Sequence, residues 1–263
     1  MASYLTIALY TIAWGYILDA LIRKHRPVTS KTLQGMVALG LIAHGFAVYE
    51  LLVQPVGLSL GFFKVAALFF FVINLLVLAS SLRKPLHSLF VFLMPLSIIG
   101  LVVGKWVEAP TAVEGTLPPG MVMHILLSIL AYSLLTIASI QALLLMYQNH
   151  QLKAKHFQGV MGIMPPLQTM EALLFDIVWA GFLFLTLSII TGVIFIEDML
   201  AQKLSHKAVF SILSWLIYAV LLAGHQIQGW RGASAVRWVL GGFAALMVAY
   251  FGSKLVIEVI LAN

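Results

Sequence analysis

Cysteine is absent from this sequence, and charged residues are scarce. The lack of cysteine excludes a disulfide framework, thiolate metal ligands and covalent attachment of a cofactor through a C-x-x-C-H motif. Histidine and methionine therefore remain as the side chains that can hold a metal or haem. Only 9% of the residues are charged and 62% are hydrophobic, and the mean hydropathy is +1.05. This composition is typical of a polytopic membrane protein rather than of a soluble domain.

Sequence motifs for common enzyme chemistry are also missing. No nucleophile–base arrangement, P-loop, Rossmann glycine pattern or H-E-x-x-H helix is present in a suitable context. We therefore expect that the protein is not an enzyme. The formal charge of +6 suits either a nucleic-acid partner or the orientation of a chain in a bilayer. The location of the basic residues favours the second interpretation, so no nucleic-acid partner is expected.

Eight apolar runs approach the ~20 residues that cross ~30 Å of hydrocarbon. They predict an all-α, polytopic membrane helix bundle with about eight transmembrane helices, in one integral membrane domain over residues 1–263. The first run has no small-residue cleavage site behind it and leads into RKHRP, so a retained helix is expected rather than a removed signal peptide. The predicted helices are 3–22, 33–53, 61–82, 86–104, 120–147, 172–196, 207–227 and 236–260.

Basic residues are distributed unevenly between the connections. Ten of the 15 lysines and arginines fall in the connections 22–32, 83–86, 148–171 and 228–237. Under the positive-inside rule these connections face the cytoplasm. Both termini are therefore predicted to lie outside.

The eight histidines separate into two groups by position. Four lie in or beside the inner basic connections, where contact with solvent or lipid phosphates is expected: His25, His87, His150 and His156. The other four lie inside helices or near their ends: His44, His124, His206 and His225. An ionisable ring at membrane depth indicates a functional site by default. A single histidine of this kind is more often an interhelical hydrogen-bonding residue, but four on three helices favour axial ligands of haem iron.

The stretch PPGMVMHILLSILAYSLL places His124 about one turn inside the fifth predicted helix. The Pro-Pro-Gly sequence marks the start of that helix, because proline is tolerated in the first turn. The positions that share the face of His124 carry small side chains: Ser128, Ala131, Ala138 and Ala142. Such a stripe allows close approach of either a flat ligand or a second helix, and the sequence leaves both alternatives open.

Helical rise predicts that two of these histidines lie at different depths. His44 is ~14 Å and His124 ~6 Å below the outer surface, so they belong to separate sites or only one of them is a ligand. His206 lies at the outer start of the seventh helix, near the depth of His124. It would complete an outer bis-histidine pair if the fifth and seventh helices adjoin.

The C-terminal third carries Lys207, the SWLIYA run around Trp215 and Tyr218, GWRG at 229–232 and YFG at 250–252. Together these stretches resemble the end of the cytochrome c assembly family, membrane proteins that handle haem. Upstream, PPGMVMHILLSILAYSLL is similar to the family helix that enters from the periplasm with a histidine near its start. IAHGFAVYE is similar to an early helix with a buried histidine. The short eight-helix layout resembles a branch of bacterial inner-membrane proteins.

The resemblance implies a non-covalent, b-type haem whose iron is bound by axial histidines. His124 matches the family's outer ligand, and His44 matches its buried one. The family's inner-side histidine corresponds to His225 with a displacement of about two residues, which turns a helix by ~200°. The tryptophan-rich WGxxWxWD segment of members that deliver haem is missing, since IEDMLAQKLSHKAV stands in its place. The family's outer histidine after the last helix is missing as well, since the sequence reads VIEVILAN there.

Three hypotheses follow for the function. The first is a haem-binding protein of the bacterial inner membrane that acts in haem handling or cytochrome complex biogenesis. Its partners would be the lipid bilayer and a haem acceptor or other inner-membrane protein. The second is a haem-free membrane scaffold or regulatory partner of another membrane protein, which the missing tryptophan-rich segment suggests. The third is a small electron-transfer protein with two stacked haems, which requires histidine pairs at two depths.

Overall fold

The structure is a computed structural model that describes residues 1–22, 30–54, 57–59, 62–84, 86–107, 112–113, 118–155, 164–195 and 205–249. Within these ranges eight α-helices account for almost the whole chain, and the predicted all-α class is confirmed. The helices are α1 (Ala2–Ile22), α2 (Ser30–Leu52), α3 (Phe62–Ser81), α4 (Phe90–Trp106), α5 (Pro119–Lys153), α6 (Leu167–Phe195), α7 (Ser205–Gln228) and α8 (Gly232–Met247).

The observed helices coincide with the eight apolar runs and differ most at four ends. Helix α4 begins at Phe90 instead of 86, because a 3₁₀ turn (His87–Leu89) precedes it. Helix α5 continues to Lys153 instead of ending at 147, α6 begins at Leu167 instead of 172, and α8 begins at Gly232 instead of 236. Apolarity marks the part of a helix that lies in hydrocarbon, whereas backbone hydrogen bonds continue into polar turns such as QNHQLK. The predicted stretch from 250 to 260 lies outside the described residues.

Five helices are long and apolar enough to cross a membrane, namely α2, α3, α5, α6 and α7. Helices α4 and α8 are shorter apolar helices in the part of the chain that the structure describes. The predicted polytopic membrane bundle is thus confirmed, while the outside location of both termini stays a prediction. The sequence did not indicate a small antiparallel sheet in the order β1-β2-β3, formed by β1 (Val53–Gln54), β2 (Gly57–Ser59) and β3 (Ala112–Val113).

The chain forms two compact units. Unit 1 contains Met1–Gly115 with Lys155–Pro165, and therefore α1 to α4. Unit 2 contains Thr116–Ala154 with Pro166–Asn263, and therefore α5 to α8. Within each unit every helix packs against the preceding and the following one, and the first packs against the last. Each unit is thus a closed cycle of four helices. The prediction of one integral membrane domain stays a prediction.

Each seam of unit 1 is crossed by a side-chain hydrogen bond. These bonds join Tyr10 to His44 (3.1 Å), Gln34 to the Ser81 carbonyl (2.9 Å), Asn74 to Ser97 (2.6 Å) and Trp14 to the Val91 carbonyl (2.9 Å). Helices in lipid gain little from the hydrophobic effect, so they associate through close approach and through polar contacts of about 0.6 kcal/mol each. Four such bonds therefore fix the order of the helices more than they add stability.

Close approach at glycines defines the seam between α5 and α6 in unit 2. A Cβ at Gly181 would lie 2.6 Å from Leu135 Cδ2, and a Cβ at Gly192 would lie 2.9 Å from His124 Cε1. The two pairs follow the same antiparallel register, because the residue numbers rise on α6 as they fall on α5. The seam therefore brings the C-terminal end of α6 directly against His124.

Substitution of Gly181→Ala tests this seam. The new methyl group would collide with Leu135, which is fully buried, and overpacking of this kind typically costs about 1–3 kcal/mol. Gly241→Ala on α8 is the matched control because no heavy atom lies within 4 Å of its Cβ position. Thermal unfolding in detergent should show a lower midpoint for Gly181→Ala and an equal or higher midpoint for Gly241→Ala. Equal midpoints for the two variants would contradict the seam.

Candidate functional site

His124 lies in the second turn of α5 and faces α6. Its Nδ1 atom is 2.9 Å from the backbone carbonyl oxygen of Ser188. Because a carbonyl oxygen only accepts hydrogen bonds, the proton of a neutral His124 ring is assigned to Nδ1. The Nε2 atom then keeps its lone pair. This is the tautomer in which an imidazole can bind a metal through Nε2.

Hydroxyl groups surround His124 but leave its Nε2 weakly engaged. The hydroxyl of Ser128 donates to the His124 carbonyl at 2.7 Å and lies 2.7 Å from the Ser188 hydroxyl. It is 3.5 Å from Nε2, at the outer limit of a hydrogen bond. Thr191 donates to the Leu187 carbonyl at 2.9 Å and lies 3.4 Å from Nδ1. The contacts of Ser188 and Thr191 therefore hold the Nδ1 side of the His124 ring.

Gly192 provides the space that the His124 ring occupies. A Cβ at this position would stand 2.9 Å from Cε1 and 3.2 Å from Nδ1 of the ring. Any side chain at 192 would therefore push the ring away from the Ser188 carbonyl. The small-residue stripe on α5 has a different role, because Ala131, Ala138 and Ala142 are fully buried. For these three alanines the structure supports helix packing rather than contact with a flat ligand.

His225 lies near the other end of unit 2. Its Nδ1 is 2.9 Å from the carbonyl of Trp230, which assigns the same tautomer as in His124. The ring stacks on Phe175 at a centroid distance of 3.5 Å. His225 follows the first residue of α7 by 20 positions, or ~30 Å of rise, whereas His124 is ~8 Å into α5. Both helices begin on the predicted outer side, so these two histidines cannot share one iron.

His206 stands in the first turn of α7, but its side chain lies outside what the structure describes. Helices α5 and α7 each pack against α6 and α8, so they lie diagonally in the four-helix cycle of unit 2. The sequence pattern required adjoining helices for the pair of His124 and His206. Helices α5 and α7 are not neighbours in this cycle, and the pairing of His124 with His206 stays a prediction.

His44 lies in unit 1 and is fully buried. Its Nδ1 is 3.1 Å from the Tyr10 hydroxyl, and the rings of Tyr10 and Phe71 both meet the imidazole edge to face at 5.6 Å. The Ala67 backbone also lies near the ring, and Nε2 has no hydrogen-bond partner. The surroundings of His44 therefore differ from those of His124 in the chemical nature of the Nδ1 partner.

The partner of His44 can donate a proton, and this reverses the tautomer. If Tyr10 donates to Nδ1, only the N–H at Nε2 is left without a partner. If Nδ1–H donates to Tyr10 instead, both the hydroxyl proton and Nε2 are left unpaired, and each unpaired buried group costs about 1–3 kcal/mol. The first arrangement is therefore favoured, and Nε2 carries a proton. In this state the Nε2 lone pair is not free, and the assignment of His44 as an iron ligand stays a prediction.

The stretches that suggested the family resemblance hold helices together. Ser214 and Tyr218 donate to the carbonyls of Gly242 (2.8 Å) and Val239 (3.2 Å) on α8. Trp215 donates to the hydroxyl of Thr186 on α6 at 2.9 Å. The SWLIYA run thus fastens α7 to both neighbours.

The GWRG turn closes the start of α8. Gly229 and Gly232 have φ angles of +67° and +55°, in the left-handed region that favours glycine. The N–H of Gly232 donates to the Glu171 carboxylate at 2.9 Å, which satisfies one of the backbone donors that a helix start leaves unpaired.

The partners of His124 on α6 were not identified from the sequence. Ser188, Thr191 and Gly192 share one face of that helix by their spacing, and a polar or small triplet in an apolar helix was the available signal. Within the ranges that the structure describes, no three His, Asp or Glu side chains converge to hold a metal ion.

Comparison with known proteins identifies similar chains. The family model described as Cytochrome C assembly protein matches residues 33–261. The inner membrane protein YpjD of Escherichia coli (strain K12) is 31% identical over 263 residues, covering 98% of this chain and 98% of that protein. An uncharacterised 28.8 kDa protein of Azospirillum brasilense is 30% identical over 187 residues, covering 69% of each chain.

More distant similarity extends to a protein whose name states a role. The cytochrome c biogenesis protein CcsA of Chlamydomonas reinhardtii is 25% identical over 142 residues, covering 52% of this chain and 38% of that protein. No solved structure matches the chain.

The assigned tautomer of His124 can be measured directly. In haem-free protein with ¹⁵N-labelled histidine, NMR should show a protonated Nδ1 and an unprotonated Nε2 for His124, because the Ser188 carbonyl only accepts. The signals are assigned by their loss in His124→Gln. A proton on Nε2 would contradict the geometry.

Proposed function

The chain belongs to the cytochrome c assembly protein family, and on that premise we propose that it binds b-type haem non-covalently and handles it in cytochrome c biogenesis. The proposed site lies at the outer end of unit 2. We assign no bond-making step to the protein, so its role is to hold haem for a partner.

The observation that carries the proposal is the hydrogen bond from Nδ1 of His124 to the Ser188 carbonyl, at 2.9 Å. Histidines that bind a metal almost always donate their other ring N–H to a carbonyl or carboxylate, which fixes the tautomer and raises the basicity of the ligating nitrogen. His124 has this arrangement. Gly192 adds the space that the ring requires.

His124 would hold haem iron through Nε2, and His206 at the same end of unit 2 is the second residue proposed to hold it. Bound haem would supply an iron centre that can change its oxidation state and be passed on with the porphyrin. The protein's own contribution is orientation and exclusion of water. Ser188 and Gly192 fix the plane of the His124 ring, and the apolar helices keep the site at low dielectric.

The predicted location and the proposed partners are compatible with this role. The chain is a multi-pass membrane protein, as the helices show, and its inner-membrane location is supported by its similarity to a protein named for that membrane. We propose that it contacts the lipid bilayer and passes haem to an acceptor or another inner-membrane protein. A haem-free scaffold is the second candidate, because the SWLIYA and GWRG residues hold helices together rather than form a ligand site.

Haem content tests the proposal. Purified protein should show a Soret band and a b-type pyridine haemochrome, either as isolated or after haem addition. His124→Ala should lower bound haem at least about tenfold, since even loss of a group that only orients a ligand costs about 10–100-fold in metal affinity. His206→Ala should change the visible spectrum of the bound haem.

His150→Ala is the matched control on the same helix. His150 is exposed in the last turn of α5, so its loss should leave haem content unchanged. Protein that takes up no haem under any condition would contradict the proposal and favour the scaffold. Equal haem loss in His124→Ala and His150→Ala would show that the effect is not specific to the site.

Gly192→Ala tests orientation without removing the ligand. Its methyl group would displace the His124 ring from the Ser188 carbonyl, and an effect of about tenfold on haem affinity is expected. The control is Gly241→Ala, which adds a methyl group in open space. Unchanged affinity in Gly192→Ala, measured by haem titration, would contradict a role for this orientation.

A further inference from the structure

We propose that Tyr10 is a positioning residue that keeps the proton of His44 on Nε2 and thereby withholds this buried imidazole from haem iron. The inference rests on the proposed function, because it decides which histidine the haem takes. It departs from the expectation that His44 is the second matched ligand.

The first observation is the isolation of the pair. Tyr10 and His44 are both fully buried in unit 1, and their 3.1 Å contact is the hydrogen bond that the structure gives the Tyr10 hydroxyl. A phenol proton in an apolar interior needs an acceptor, and Nδ1 of His44 supplies one. The hydroxyl therefore donates, and Nδ1 of the neutral ring must be unprotonated.

The second observation is that the surrounding residues hold Tyr10 in this place. The Tyr10 ring lies against Gly40 so closely that a Cβ there would be 2.5 Å from Cε1. Phe71 also meets the imidazole edge to face and lies against Gly45, where a Cβ would be 3.3 Å from its ring. Gly40, Gly45 and Phe71 therefore keep the Tyr10 hydroxyl and the His44 imidazole within hydrogen-bonding distance of each other.

The position of this proton decides whether His44 can bind iron. Iron binds an imidazole nitrogen through its lone pair, and Nε2 of His44 has none while it carries the proton. To expose that lone pair, the proton would have to move to Nδ1, and Tyr10 would then lose its acceptor. His124 needs no such change, because its Nδ1 partner is a carbonyl.

The test is ¹⁵N NMR of the full-length, histidine-labelled protein, first without haem and then after haem addition. His44 signals are assigned by their loss in His44→Gln. Without haem, Nε2 of His44 should be protonated and Nδ1 unprotonated, the reverse of His124. After haem addition the His44 signals should stay in place while those of His124 shift or broaden.

Tyr10→Phe removes the hydroxyl and keeps the ring. The Nδ1 signal of His44 should move downfield because it loses its hydrogen bond, whereas a purely structural tyrosine would leave it unchanged. Tyr218→Phe is the matched control, since Tyr218 is equally buried and donates to the Val239 carbonyl instead of a histidine. It should leave the His44 signals where they are.

Three results would overturn the inference. The first is a proton on Nδ1 of His44 in the haem-free protein. The second is a haem-induced shift of the His44 signals. The third is an Nδ1 signal of His44 that does not change in Tyr10→Phe. If no haem binds at all, the proposed function fails, but the haem-free spectrum still decides the role of Tyr10. His44→Gln provides a second check. Its haem content should stay within about twofold of that of the unchanged protein, whereas loss of a residue that orients an iron ligand is expected to lower haem affinity about 10–100-fold.

Discussion

The absence of water from the hydrocarbon is the constraint on which the structure depends. A polar side chain inside the helices can be stabilised only by partners within the protein, and so the available partner decides the chemical state of the side chain. The same constraint explains why each seam of unit 1 carries a hydrogen bond and why glycines bring the helices close. At His124 and His44 it goes further, because the type of partner determines where a proton resides.

Much of the fold was predictable because apolarity and helix formation coincide in a membrane. The Pro-Pro-Gly start of α5 was predicted to within one residue, since helix starts have local chemical signals. The polar turns at Lys153 and Leu167 were missed because hydropathy does not report them. The closed four-helix cycles could not be predicted, since they depend on contacts between residues far apart in the sequence.

The candidate site was predictable only in part. A histidine stands out in an apolar helix, so His124 and His44 were identified from the sequence. Their tautomers could not be predicted from it. Their deciding partners lie 64 residues away at Ser188 and 34 residues away at Tyr10, and no local pattern connects such positions. The motif residues Trp215 and Tyr218 were recognisable, but only the structure shows that they fasten helices.

The two histidines also differ in their robustness to mutation. The acceptor that orients His124 is a backbone carbonyl, which is present whatever side chain occupies position 188. The donor that orients His44 is one phenolic oxygen, and a single-nucleotide change from a tyrosine to a phenylalanine codon removes it. The site in unit 2 therefore keeps its chemistry under sequence drift at its partner position, whereas the state of the histidine in unit 1 depends on one atom and can change in one evolutionary step.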